Sequence, residues 1–128
     1  MGTAGAPHDA RRPRLLLVED DALICALLAD ALDERYDVVR ARTAMGALLV
    51  FAVEGPDLLL LDYRLPGGTA DALLREADRL GGPALTITGC PLAAAEVEAR
   101  GRPVLAKPFG MDELRGAPLR LPWPPAPA

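Results

Sequence analysis

Cysteine is scarce in this 128-residue chain: Cys25 and Cys90 are the only two, and neither lies in a CxxC or Cys/His ligand spacing. That pattern fits reduced thiols in a cytoplasmic protein. Long apolar runs are missing as well. Nothing approaches the ~20 residues of a membrane span, and no basic-then-apolar leader opens the chain, so a soluble protein without a membrane partner is expected. Positive charge is in short supply: 14 Lys and Arg stand against 18 Asp and Glu, a net −4. No basic face can be assembled from that balance, which excludes direct nucleic-acid binding. The one basic cluster, Arg11, Arg12 and Arg14, reads as a solvated tail. The only histidine, His8, sits in a lead with no helix to present it as a phosphorelay group. No solenoid-type repeat is visible.

What remains is a globular composition, 51% hydrophobic and 25% charged, at a length that suits one domain. Residues 1–13 are small, polar or Pro-containing and read as a disordered lead. The run Leu15–Val18 ends on Glu19, Asp20 and Asp21, too short for a helix and followed by a cap signal, so it reads as a buried strand. Leu23, Ile24, Leu27, Leu28, Ala31 and Leu32 then form the stripe of an amphipathic helix, capped by Asp20 or Asp21. A second strand, YDVVRA, precedes a helix that Thr43 can cap, with Met45, Leu48, Leu49 and Ala52 on one face and Gly55-Pro56 as its stop. The third strand is DLLLLD. Leu73, Leu74, Ala77 and Leu80 mark the third helix, ALTITG the fourth strand, LAAAEVEARG a short fourth helix and PVLA the fifth strand.

Five βα units with strands apolar throughout predict an α/β fold. The expected architecture is a doubly wound parallel sheet of strand order 2-1-3-4-5, switching between strands 1 and 3. Such sheets place their functional groups beyond the carboxyl ends of the strands. Strand 1 delivers Glu19 and Asp20 there, strand 3 Asp62, strand 4 Thr88 and strand 5 Lys107. Converging carboxylates repel one another, and a hard divalent cation such as Mg²⁺ removes the conflict. Lys107 offers a compact positive charge and Thr88 a hydroxyl, both suited to a phosphoryl group. Asp62 is then a candidate nucleophile that forms an acyl phosphate.

These residues carry a resemblance. Between about Arg14 and Gly116 the chain resembles the receiver domain of bacterial two-component response regulators, in LLLVEDD, DLLLLDYRLPGG, TITG and LAKPF, each at the end of a separate predicted strand. The resemblance implies a flavodoxin-like (βα)5 fold with Asp62 as phosphoacceptor, Thr88 as the switch hydroxyl and Lys107 as the phosphoryl-pairing cation. It implies Mg²⁺ held by Glu19, Asp20, Asp62 and the backbone carbonyl of Arg64, and a cis peptide bond before Pro108. It further implies a histidine kinase or phosphotransfer protein as donor, an unnamed downstream protein as partner, and no turnover of an external substrate. A homodimer is left open.

The chain also departs from the family. The switch aromatic three residues before the lysine is replaced by Val104, and the spacings from Asp62 to Thr88 and on to Lys107 are a few residues tight. GMDELRG allows only a shortened fifth helix before Gly116 and Pro118, at the edge of the family's usual dimer and output face. The expected division is therefore a lead over 1–13, a receiver over 14–116 and a Pro-rich tail over 117–128, with no output domain attached. In that tail Trp123 is either unordered or laid over the patch that a short last helix leaves bare. The alternative function is a degenerate receiver acting as a phosphorylation-independent binding or dimerisation module. A small aspartyl-phosphate phosphatase ranks last, because Arg64 stands where a general acid is expected. Cys90 reads as a loop or core thiol.

Overall fold

The computed structural model describes residues 12–65, 68–80 and 82–117; His8 and Trp123 lie outside them, with nearly all of the expected lead and tail. The strands are β1 (Arg14–Val18), β2 (Asp37–Ala41), β3 (Leu58–Asp62), β4 (Arg64–Leu65), β5 (Gly68–Thr69), β6 (Ala84–Thr88) and β7 (Val104–Ala106). The helices are α1 (Ala22–Leu32), α2 (Ala44–Glu54), α3 (Asp71–Leu80), α4 (Pro91–Ala99) and α5 (Met111–Gly116). Five strands form one parallel sheet ordered β2-β1-β3-β6-β7, the expected 2-1-3-4-5 once β4 and β5 are numbered. Those two make a small antiparallel hairpin where only a turn is expected.

Side chains alternate across each strand, so every strand feeds two cores. Leu15, Leu17, Leu58, Leu60, Leu85, Ile87 and Leu105 face α1 and α5. Leu16, Val18, Leu59, Leu61 and Ala84 face α2, α3 and α4. The leucines of β1 and β3 are at most 1% exposed, and each such burial contributes about 1.5–3 kcal/mol. The register sets Val18 beside both Ala41 and Leu61, Asp62 beside Ile87, and Thr88 beside Ala106. The carboxyl ends of the central strands are thus nearly flush.

Helix starts follow the sequence signals. Asp21 caps α1, its Oδ1 accepting the Ile24 N–H at 3.0 Å, which leaves Asp20 for other work. Thr43 caps α2 through the Gly46 N–H at 2.9 Å, and Gly55 ends that helix at φ +59, a left-handed turn that favours glycine. Glu113 accepts the Gly110 N–H at 3.0 Å at the start of the short α5.

Helix faces differ from expectation. On α1 the buried residues are Cys25, Leu28, Ala29 and Leu32, while Leu23, Ile24 and Leu27 are exposed. On α2 only Ala47 is fully buried, Leu48 is half-buried, and Met45, Leu49 and Ala52 are exposed. Both helices are apolar nearly all round, so periodicity cannot select the face and the docking against the sheet does. Leu80, at the end of α3, is likewise exposed.

The basic cluster is also corrected. Arg12 donates to the carbonyls of Asp33 and Tyr36, closing the C-terminal end of α1. Arg14 opens β1 and pairs with Asp37 at 3.4 Å and Glu54 at 3.2 Å. Two of the three arginines are anchors rather than tail. Among the described residues no helix is long and apolar enough to cross a membrane.

Candidate functional site

β1 runs out at Val18, and the chain turns to start α1 at Ala22. Glu19 falls in that turn and is 2% exposed. One of its oxygens accepts the Asp21 N–H at 3.1 Å, and the other, Oε1, is buried without a partner. Burial and the neighbouring Asp62 and Asp20 carboxyls push the Glu19 pKa up to about 7. Asp20 is exposed, and its carbonyl accepts from the Arg42 guanidinium at 3.1 Å, which pins the acidic turn to the end of β2. Nothing in the sequence singled out Arg42.

Asp62 ends β3 with a side chain 12% exposed. Glu19, Asp20 and Asp62 each offer an oxygen, and the three atoms lie within 4.8 Å of one another. This is the convergence expected from strands 1 and 3 being neighbours. The orphaned buried Oε1 and the three-carboxylate set fit a hard oxygen-seeking cation, which would take up the charge that now raises the Glu19 pKa.

On the other side of Asp62 stands Lys107, its Nζ 3.2 Å from Asp62 Oδ2. The peptide bond between Lys107 and Pro108 is cis, as the resemblance implies. Thr88 closes β6, is 4% exposed, and accepts the Cys90 N–H on Oγ1 at 3.1 Å. Asp62, Arg64, Thr88, Gly89, Cys90 and Lys107 line an open cleft of about 320 Å³. Arg64 is exposed, and its N–H donates to Asp62 Oδ1 at 3.3 Å. All the expected site residues therefore meet at one edge of the sheet. Val104 does not; it packs among the side chains under α3 and α4.

Cys90, expected as a loop or core thiol, packs against the core at the start of α4. It is half-buried, borders the cleft and serves as N-cap residue of α4. The backbone N–H groups of Ala93 and Leu92 at the start of α4, with the Arg64 guanidinium nearby, pull its pKa down. Its place two residues after Thr88 was the available signal.

The sequence profile described as the response regulator receiver domain matches residues 15–117. The chain belongs to the response regulator receiver family. The receiver is 31% identical over 106 residues to the KDP operon transcriptional regulatory protein KdpE of Escherichia coli, covering 79% of this chain and 47% of that protein. It thus spans about half the length of that relative. It is 27% identical to sporulation initiation phosphotransferase F of Bacillus subtilis, with 81% of this chain and 89% of that one covered. Among solved structures it is similar to a CheY-like response regulator receiver domain protein from Methanospirillum hungatei, at a TM-score of 0.76 and 27% identity. That match covers 84% of this chain and 91% of the other. As a receiver, the protein is a component of two-component signalling.

Proposed function

We propose that this receiver takes a phosphoryl group onto Asp62 from a histidine kinase or phosphotransfer protein, and that the modified site is read by another protein. The observation that carries the reading is the placement of Asp62 between the acidic pair Glu19 and Asp20 on one side and Lys107 on the other, with Nζ at 3.2 Å, at the mouth of an open cleft. Glu19, Asp20, Asp62 and the Arg64 carbonyl would hold Mg²⁺. Bound there, it would supply positive charge beside the transferring group.

The residues divide the remaining work. An Asp62 carboxylate oxygen forms the bond to phosphorus while the bond to the donor nitrogen breaks, and the donor imidazole leaves with the electron pair. Lys107 orients the nucleophile before transfer and neutralises a phosphoryl oxygen after it. Thr88 presents a hydroxyl to another of those oxygens. Water entering through the cleft reverses the modification, so the chain acts as a signalling module rather than on an external substrate. The receiver unit is taken as residues 14–116, in the cytoplasm where its donors operate.

Intact mass after incubation with acetyl phosphate and Mg²⁺ tests this. One phosphoryl group is gained by the native chain and none by Asp62→Asn or without Mg²⁺. No gain under conditions that label an established receiver would overturn the reading in favour of a phosphorylation-independent binding module.

A further inference from the structure

Val104 stands where the resemblance places the switch aromatic, yet an aromatic side chain, Tyr63, follows Asp62 in the chain. Successive residues of a strand point to opposite faces. At the end of β3, Asp62 therefore turns towards the acidic pocket and Tyr63, 9% exposed, towards the α3 and α4 side. The Tyr63 hydroxyl donates to Glu96 Oε2 on α4 at 3.3 Å.

A second tie runs parallel to the first. Arg100, the C-cap residue of α4, pairs with Asp71 at 3.1 Å, and Asp71 opens α3. Tyr63 and Asp71 flank the β4–β5 hairpin, and the Tyr63 carbonyl accepts the Ala70 N–H at 2.9 Å. That bond clamps the two ends of the hairpin together. The Tyr63 N–H in turn donates to the Ile87 carbonyl at 3.0 Å, one residue before Thr88. These two ties to α4 therefore originate in one short segment that begins at the residue after Asp62, while a longer contact, Arg100 to Asp78 at 3.6 Å, joins α4 to the body of α3.

α4 needs such ties. Its nine residues bury only Ala93 and Val97, and Leu92 is 77% exposed. Cys90 makes no side-chain cap bond, and its own N–H is held by the hydroxyl of Thr88, which lines the cleft. A helix fixed by two small apolar side chains and a few polar contacts lies at the low end of local stability.

Resting on the phosphoacceptor reading, we propose that the Tyr63–Glu96 hydrogen bond, together with the Asp71–Arg100 pair, is the tether through which the state of Asp62 sets the hold on α4. When Asp62 carries a phosphoryl group, its carboxylate and Thr88 rearrange around the added charge. The peptide shared by Asp62 and Tyr63 turns, and the hydroxyl loses Glu96. Tyr63 is a positioning residue in this scheme and touches no reacting atom.

The test is amide hydrogen exchange of residues 91–99, read by mass spectrometry on the full chain before and after treatment with acetyl phosphate and Mg²⁺. Intact mass is taken on the same samples. In the native protein, exchange in α4 rises on phosphorylation. Unphosphorylated Tyr63→Phe, which keeps the ring and the packing, already exchanges about fivefold faster there, the effect of losing one net hydrogen bond. It still gains one phosphoryl group, and its further response to that group is less than twofold. Glu96→Ala behaves alike, and the double variant is no faster than either single one. Tyr63→Phe exchanging like the native chain in both states, with full phosphorylation, would overturn the tether. A native chain whose mass never changes is a different result and overturns the phosphoacceptor reading on which the tether rests.

Discussion

Glu19 gives the sharpest handle on the acidic pocket. Its pKa in the folded chain is raised from the ordinary 4.5 to about 7, chiefly by burial and then by Asp62 and Asp20. A folded-state pKa above the unfolded one means that the folded chain binds more protons between these values, so stability falls as pH rises through them. The contribution is fully present below about 4.5 and lost once pH passes about 7. At 1.36 kcal/mol per unit the loss is at most about 3–4 kcal/mol. Glu76 and Asp78, paired with Arg79 and Arg102, have lowered values and so act at the acid end, outside this window. The perturbation is Glu19→Gln, which removes the charge and keeps an oxygen for the Asp21 N–H. The assay is thermal and urea unfolding at pH 5.0 and 7.5, in chelator and then in millimolar Mg²⁺. In chelator the native chain loses stability between the two pH values, worth roughly 4–8 °C in Tm per kcal/mol for a domain of this size. Glu19→Gln is nearly flat over the same range. Mg²⁺ restores the native chain at pH 7.5 by mass action on the folded state and does much less for the variant. A native chain that is flat in chelator, or a variant that responds to Mg²⁺ as strongly as the native chain, would refute the argument.

Thr86 is fully buried with a hydroxyl that has no partner, so Thr86→Val should stabilise the fold by about 1–2 kcal/mol in urea unfolding. Leu27 and Leu28 are neighbours on α1 at 55% and 3% exposure. Leu28→Ala should cost about 2–5 kcal/mol. Leu27→Ala should stay within about 0.5 kcal/mol, and equal costs would show the α1 face to be wrongly placed. Thr43→Ala removes the α2 cap and should cost about 1 kcal/mol, while Thr43→Ser keeps most of it. Lys107→Met should leave the fold intact but slow phosphoryl gain from acetyl phosphate by at least tenfold, since no other cation is seen pairing with Asp62 among the described residues.

The sequence by itself determined the order of elements, because strands that are apolar throughout alternate with stretches bounded by Asp21, Thr43 and Gly55-Pro56. It also determined the strand-end chemistry. An acid, a hydroxyl and a lysine that each follow a buried run can only emerge at one edge of a parallel sheet. Tertiary structure decided what one-dimensional periodicity leaves degenerate. α1 and α2 carry apolar residues around most of their circumference, so the sheet chose to bury Leu28 and Ala47 and to leave Leu27 and Leu49 outside. It decided that Arg12 and Arg14 are anchors, because their partners Asp33, Asp37 and Glu54 lie 20 or more residues away along the chain and no local pattern joins them. It also turned Tyr63 from a residue after the phosphoacceptor into a contact with Glu96. A hydrogen bond across 33 positions exists only once β3 and α4 have packed.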